Sequence, residues 1–126
     1  MPELERRMAG LGCGDARQVA REALAGVGVG QRALDDALTV VTELVTNAIR
    51  HAGGVTGFRI RSLPGAVAIE VSDAYPLMPC SPGTPASVPG GFGWVLVRRL
   101  TSRTDIRSRH DGKTITAYLP LTTSAT

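Results

Sequence analysis

Val40, Val41, Leu44, Val45 and Ala48 recur at the i, i+3, i+4 and i+7 spacing of a buried helix face. A helix so apolar along one side has to be covered, and the segments after it supply the cover by alternation. Val55 to Arg61 and Ala66 to Ser72 put Phe58 and Ile60, then Val67, Ile69 and Val71, on one side across a Pro64-Gly65 turn. That is the pattern of an antiparallel hairpin with one buried face.

The remaining elements follow from the same two periods. Asp15 to Ala25 reads as a short amphipathic helix, with Ala16, Val19, Ala20, Ala23 and Leu24 on one face and Gly26 and Gly28 ready to end it. The striped helix begins near Gln31 and runs to about Arg50, with Gly53-Gly54 beyond. His51 falls in its last turn, where a cation suits the helix dipole, so we read it as structural. After Asp73, five prolines between Pro76 and Pro89, with Gly83 and Gly90, predict a long loop. Trp94 to Ser102 carries Leu96, Val97 and Leu100 at helical spacing behind Gly91-Phe92-Gly93. Thr104 to Arg109 and Lys113 to Leu119 then flank Asp111-Gly112, a dipeptide suited to a tight hairpin turn. The expected architecture is α+β: a two-layer sandwich of a mostly antiparallel sheet covered on one face by helices, in a single domain over residues 1–126.

Composition narrows the function classes. No apolar run approaches the length of a membrane span, and Met-Pro-Glu-Leu-Glu-Arg-Arg has no secretory apolar core, so a cytoplasmic protein without a membrane partner is expected. Cys13 and Cys80 lie far apart with no second ligand near either, which predicts reduced thiols. The net charge is +3, but the arginines are dispersed, Lys113 is the sole lysine and aromatics make up 4% of the chain. Nucleic-acid binders cluster such charge and often add stacking rings, so no direct nucleic-acid partner is expected; acidic proteins suit the charge equally well.

Three short features carry chemistry when taken in order. Glu43 and Asn47 sit one turn apart at the margin of the apolar stripe, where a carboxylate and an amide are partly desolvated and need a partner. Asp73 stands at a strand end, and Gly91-x-Gly93 leads into a helix. Each is ordinary alone: such a pair is usually solvated surface, such an aspartate a turn residue, such glycines a flexible joint. Together they fit a nucleotide. Helix amides bared by glycines attract phosphate. Asp73 can accept from the exocyclic amine of adenine, Asn47 can ligate Mg through its side-chain oxygen, and Glu43 can deprotonate a hydroxyl or water.

Glu43-Leu44-Val45-Thr46-Asn47-Ala48-Ile49-Arg50-His51 resembles the N box of the GHKL superfamily of ATP-binding domains. Val71-Ser72-Asp73-Ala74-Tyr75-Pro76, Gly91-Phe92-Gly93-Trp94-x-Leu96-Val97 and Gly112-Lys113-Thr114 resemble the bacterial anti-sigma factor serine kinase branch, over about residues 15 to 120. The resemblance implies the Bergerat ATP-binding fold, with ATP and Mg as cofactors. It places Asn47 on Mg, Asp73 on adenine, Gly91 and Gly93 at the phosphates and Thr114 along the adenine pocket, with Glu43 as general base. It further implies serine/threonine-protein kinase activity on a STAS-type anti-anti-sigma antagonist, binding of a sigma factor, and in many members a homodimer paired through the sheet or first helix. The alternative is a catalytically inactive module of the same fold that holds its partner with or without nucleotide. A free-standing sensor histidine kinase is disfavoured, as no phosphoacceptor helix pair is evident.

The chain departs from the superfamily pattern in two places. Glycines that often follow the aspartate at two and four residues are here Tyr75 and Leu77, and Cys80 to Gly90, expected to cover the triphosphate, holds no Lys or Arg. Arg98 or Arg99, one turn into the third helix, is the nearest cation. Trp94 stands where a smaller aliphatic residue is usual, and packing is its expected role. Gly112-Lys113-Thr114 looks like the end of a P-loop, but that motif needs a glycine at position 107, which is Arg. It is expected to form a hairpin lining the pocket.

Overall fold

The computed structural model describes residues 4–6, 11–75 and 91–121, with side chains described over 11–75 and 95–121. In chain order the elements are β1 (Leu4–Arg6), α1 (Cys13–Ala25), α2 (Gln31–Ala52), β2 (Val55–Leu63), β3 (Ala66–Asp73), α3 (Gly91–Leu100), β4 (Arg103–Arg109) and β5 (Gly112–Pro120). Among the described residues the strands make one sheet of order β1-β2-β3-β5-β4, antiparallel throughout. The α+β sandwich expected from the sequence is the fold observed. None of the described helices is long and apolar enough to cross a membrane.

The core lies between one face of the sheet and the helices. Ala37, Val40, Val41, Leu44, Val45 and Ala48 of α2 are buried against it, as the stripe requires. Ala16, Val19, Ala20 and Leu24 bury the matching side of α1. From the sheet, Phe58, Ile60, Val67, Ile69, Val71, Ile115, Ala117 and Leu119 point into the same cluster, and Val97 joins it from α3. Every second residue of β3 and β5 faces inward, the period-two geometry of a half-buried strand. α2 ends on Gly53 at φ 77°, and the Gly54 amide donates to the Ala48 carbonyl at 2.9 Å. A left-handed residue there is cheap only for glycine.

The structure differs from expectation in three places. β1, three residues long, pairs with β2 as an edge strand; it is too short to show any alternation in the sequence. α3 starts at Gly91 rather than Trp94, so Gly91 and Gly93 form its first turn instead of preceding it. The β4–β5 turn is His110-Asp111, and Gly112 already pairs with Arg109. Gly112 is not among the glycines with positive φ, so turn geometry is not its purpose. A β-carbon at that position would collide with the Asp73 carbonyl oxygen and crowd Ala74. Glycine lets β5 lie this close to the end of β3.

Candidate functional site

Asn47 occupies the inner margin of α2 and is 4% exposed. Among the described residues its Nδ2 has no hydrogen-bond partner, an orphaned buried group of the kind that costs roughly 1–3 kcal/mol. Rotation of the amide by half a turn exchanges its nitrogen and oxygen, so the same position can present an acceptor. A divalent cation arriving with phosphate and water needs one or two protein oxygens. Among the described residues no cluster of three His, Cys, Asp or Glu could hold a metal unaided. The residues therefore fit an Mg ion carried in on a phosphate, with Asn47 as a single protein ligand.

Glu43 lies one turn earlier on the same helix, half-buried, and its carboxylate makes no hydrogen bond or ion pair among the described residues. With Arg17, Leu38, Thr39 and Thr42 it lines a groove of about 320 Å³ beside α1. The α1–α2 contact that shapes this groove is polar: Arg17 donates to the Thr42 hydroxyl at 3.2 Å, and the Cys13 sulfur lies 3.3 Å from the Thr46 hydroxyl. Cys13 is a free thiol, as expected; Cys80 lies outside the described residues. His51 is exposed in the last turn of α2, beside Arg50, in keeping with a dipole role.

Asp73 is at the inner end of β3, 3% exposed. Directly across the ladder from it stands Lys113. The lysine ammonium lies 2.9 Å from Asp73 Oδ2, donates to Oδ1 at 3.0 Å, and donates to the Tyr75 carbonyl at 2.8 Å. The Tyr75 amide completes the cluster by donating to Asp73 Oδ1 at 2.8 Å. Both side chains of the ion pair are 2% exposed. The Tyr75 ring, itself exposed, has the ammonium 5.5 Å from its centroid, a cation–π distance. Within the chain the Asp73 carboxylate thus faces both the Lys113 ammonium and the Tyr75 amide.

Thr114, expected along the adenine pocket, is placed apart from the Asp73 carboxylate. Side chains alternate along β5, so if Lys113 faces the helices Thr114 faces away. Its hydroxyl hydrogen-bonds the Ser72 hydroxyl at 2.8 Å and accepts from Arg109 at 3.1 Å. There it belongs to a polar depression of about 340 Å³ on the outer sheet face, with Arg59, Arg61, Glu70, Asp105, Arg107, Arg109, Thr116 and Tyr118. The hairpin does line the Asp73 site, but through Lys113. Gly91 and Gly93 lie in the first turn of α3, where amides have no partner within the helix. Arg98 and Arg99 are exposed about two turns in, farther along than the sequence suggested. The Trp94 side chain and the Pro76 to Gly90 stretch fall outside what is described.

Lys113 is the residue at this site that sequence reasoning passed over, having weighed it only within the Gly112-Lys113-Thr114 motif and as part of a P-loop lookalike. A signal was present. Lys113 shares the inward parity of Ile115, Ala117 and Leu119, and a lysine at the head of a buried stripe requires an anionic partner.

A sequence model of the family described as histidine kinase-like ATPase domain matches residues 13–119. Among solved structures, the chain is similar to the RsbU and RsbW domains of Rv1364c from Mycobacterium tuberculosis. There the TM-score is 0.71, identity is 21%, and the match covers 96% of this chain and 33% of that one. The chain therefore spans about a third of the solved protein it matches, and at that identity the likeness speaks for the fold. No curated protein matches the sequence.

Proposed function

The chain belongs to the histidine kinase-like ATPase domain family, and from that premise we propose that it is an ATP- and Mg-binding regulator of the anti-sigma type. In this reading it phosphorylates a serine or threonine of a STAS-type antagonist and sequesters a sigma factor when the antagonist is absent. The observation that carries it is the buried Asn47 amide, whose Nδ2 has no partner among the described residues, one turn beyond a Glu43 carboxylate that has none among them either. When bound, Mg offsets phosphate charge. Asn47 would hold that ion through its side-chain oxygen, and the first-turn amides of α3 would donate to the phosphates. Glu43 takes the proton of the attacking hydroxyl as its oxygen bonds the γ-phosphorus and the bond to ADP breaks. Glu43 has no other hydrogen-bond or ion-pair partner among the described residues, which leaves its carboxylate available to a hydroxyl.

The test is transfer of labelled γ-phosphate from ATP to candidate STAS proteins. Glu43→Ala should lower the transfer rate by about 10²-fold or more while ATP affinity changes less than about threefold. Transfer at the wild-type rate by this variant would remove Glu43 from the mechanism. The Asp73–Lys113 ion pair favours a second reading, a partner-binding module that works without adenine nucleotide. Sigma-factor capture equally strong with ATP, with ADP and with neither would select it.

A further inference from the structure

We propose that Lys113 is the specificity-determining residue of the base pocket: its ammonium occupies the acceptor on Asp73 and holds the pocket closed to adenine. The inference rests on the ATP-binding function proposed above, with Asp73 as the group expected from the sequence to receive the base. An adenine amine is a neutral donor, and it would have to displace a cation 2.9 and 3.0 Å from the two carboxylate oxygens. A neutral amine can match the hydrogen bond to the carboxylate but not the Coulomb attraction between two full charges held this close in a buried site. Access for the competing amine is narrow as well, because the Tyr75 amide also donates to Oδ1 and the aspartate side chain is 2% exposed.

The arrangement is built in rather than incidental. Asp73 and Lys113 are register partners, and Gly112, where any β-carbon would strike the Asp73 carbonyl oxygen, permits the approach that sets them face to face. The ammonium also donates to the Tyr75 carbonyl, which ties the end of β3 to β5 and sets the exposed Tyr75 ring near the charge. Lys113 thereby substitutes for the ligand: it fills the hydrogen-bonding needs of the aspartate that a base would otherwise fill. Nucleotide enters only when the lysine leaves.

Calorimetric titration with Mg-ATP decides this for the wild type, Lys113→Thr and Lys113→Gln, each also in an Asp73→Asn background. Lys113→Thr, which keeps a strand-forming residue and empties the volume beside the carboxylate, should bind at least about tenfold tighter than wild type. That is the scale of one hydrogen bond to a charged group regained. The gain should vanish with Asp73→Asn. Lys113→Gln keeps an amide donor for Asp73 without the charge; it serves if the threonine variant does not melt cooperatively, and should show a smaller gain of the same sign. Wild type binding Mg-ATP as tightly as both variants overturns the role of Lys113 and leaves the nucleotide reading standing. A gain that survives Asp73→Asn also overturns it. Folded variants that all fail to bind, like the wild type, overturn the nucleotide reading and this inference with it.

Discussion

Breaking the Asp73–Lys113 pair from one side should destabilise the fold far more than removing it from both. The two charges lie 2.9 Å apart with side chains 2% exposed. At an effective dielectric constant of 20 their attraction is about 6 kcal/mol, offset by a desolvation cost of several kcal/mol for each ion. The pair as a whole is therefore close to neutral for stability, whereas one member left alone keeps its desolvation cost and loses its compensation. Lys113→Met, nearly isosteric, should cost about 3–5 kcal/mol, and Asp73→Asn a similar amount because the ammonium is then buried opposite a neutral amide. The double variant should cost less than the sum by at least about 2 kcal/mol. The assay is urea unfolding followed by circular dichroism, with the dependence on urea unchanged so that the midpoints report stability. Thermal melts should fall by roughly 10–20 °C for each single variant at this chain length. Single variants within 1 kcal/mol of wild type, or effects additive to about 0.5 kcal/mol, would show that the ammonium and carboxylate are solvated and that the cluster described here does not hold in solution.

Other expectations follow from the packing and the two sheet faces. Leu44→Ala truncates a fully buried side chain at the centre of α2 and should cost about 2–5 kcal/mol in the same unfolding assay; a loss under 1 kcal/mol would place Leu44 outside the core. Gly112→Ala forces β5 away from the Asp73 carbonyl and should cost roughly 1–3 kcal/mol, read as a melting shift, with hydrogen exchange accelerated at Lys113 and Tyr75. Thr114→Val removes the bonds to Ser72 and Arg109 on the outer face and should cost about 0.5–1.5 kcal/mol. Its affinity for Mg-ATP, titrated in the Lys113→Thr background, should stay within about twofold, and a larger loss would return Thr114 to the pocket.

The elements and the layer they build were legible because their causes are local. A stripe from Val40 to Ala48 has one way to be helical and one face to bury, and the alternation of Val67, Ile69 and Val71 says which side of β3 meets it. Glu43 and Asn47 were legible for the same reason: four residues apart on a helix is one turn, so their proximity needs no tertiary information. The alternation of Ile115, Ala117 and Leu119 also carries the inward side of β5, a signal the sequence reading left unused. What it left open was which strand β5 would lie against and in what register. Asp73 and Lys113 are forty positions apart, and their meeting depends on β5 pairing with β3 rather than stopping at its hairpin partner β4. A shift of one residue would have exchanged Lys113 for Thr114 at the carboxylate, since neighbouring side chains point to opposite faces. Local periodicity thus determined that there would be a half-buried sheet under an amphipathic helix with a carboxylate and an amide at its edge. Only the closed ladder, through long-range register and the close approach that Gly112 permits, decided that a lysine rather than a threonine faces Asp73.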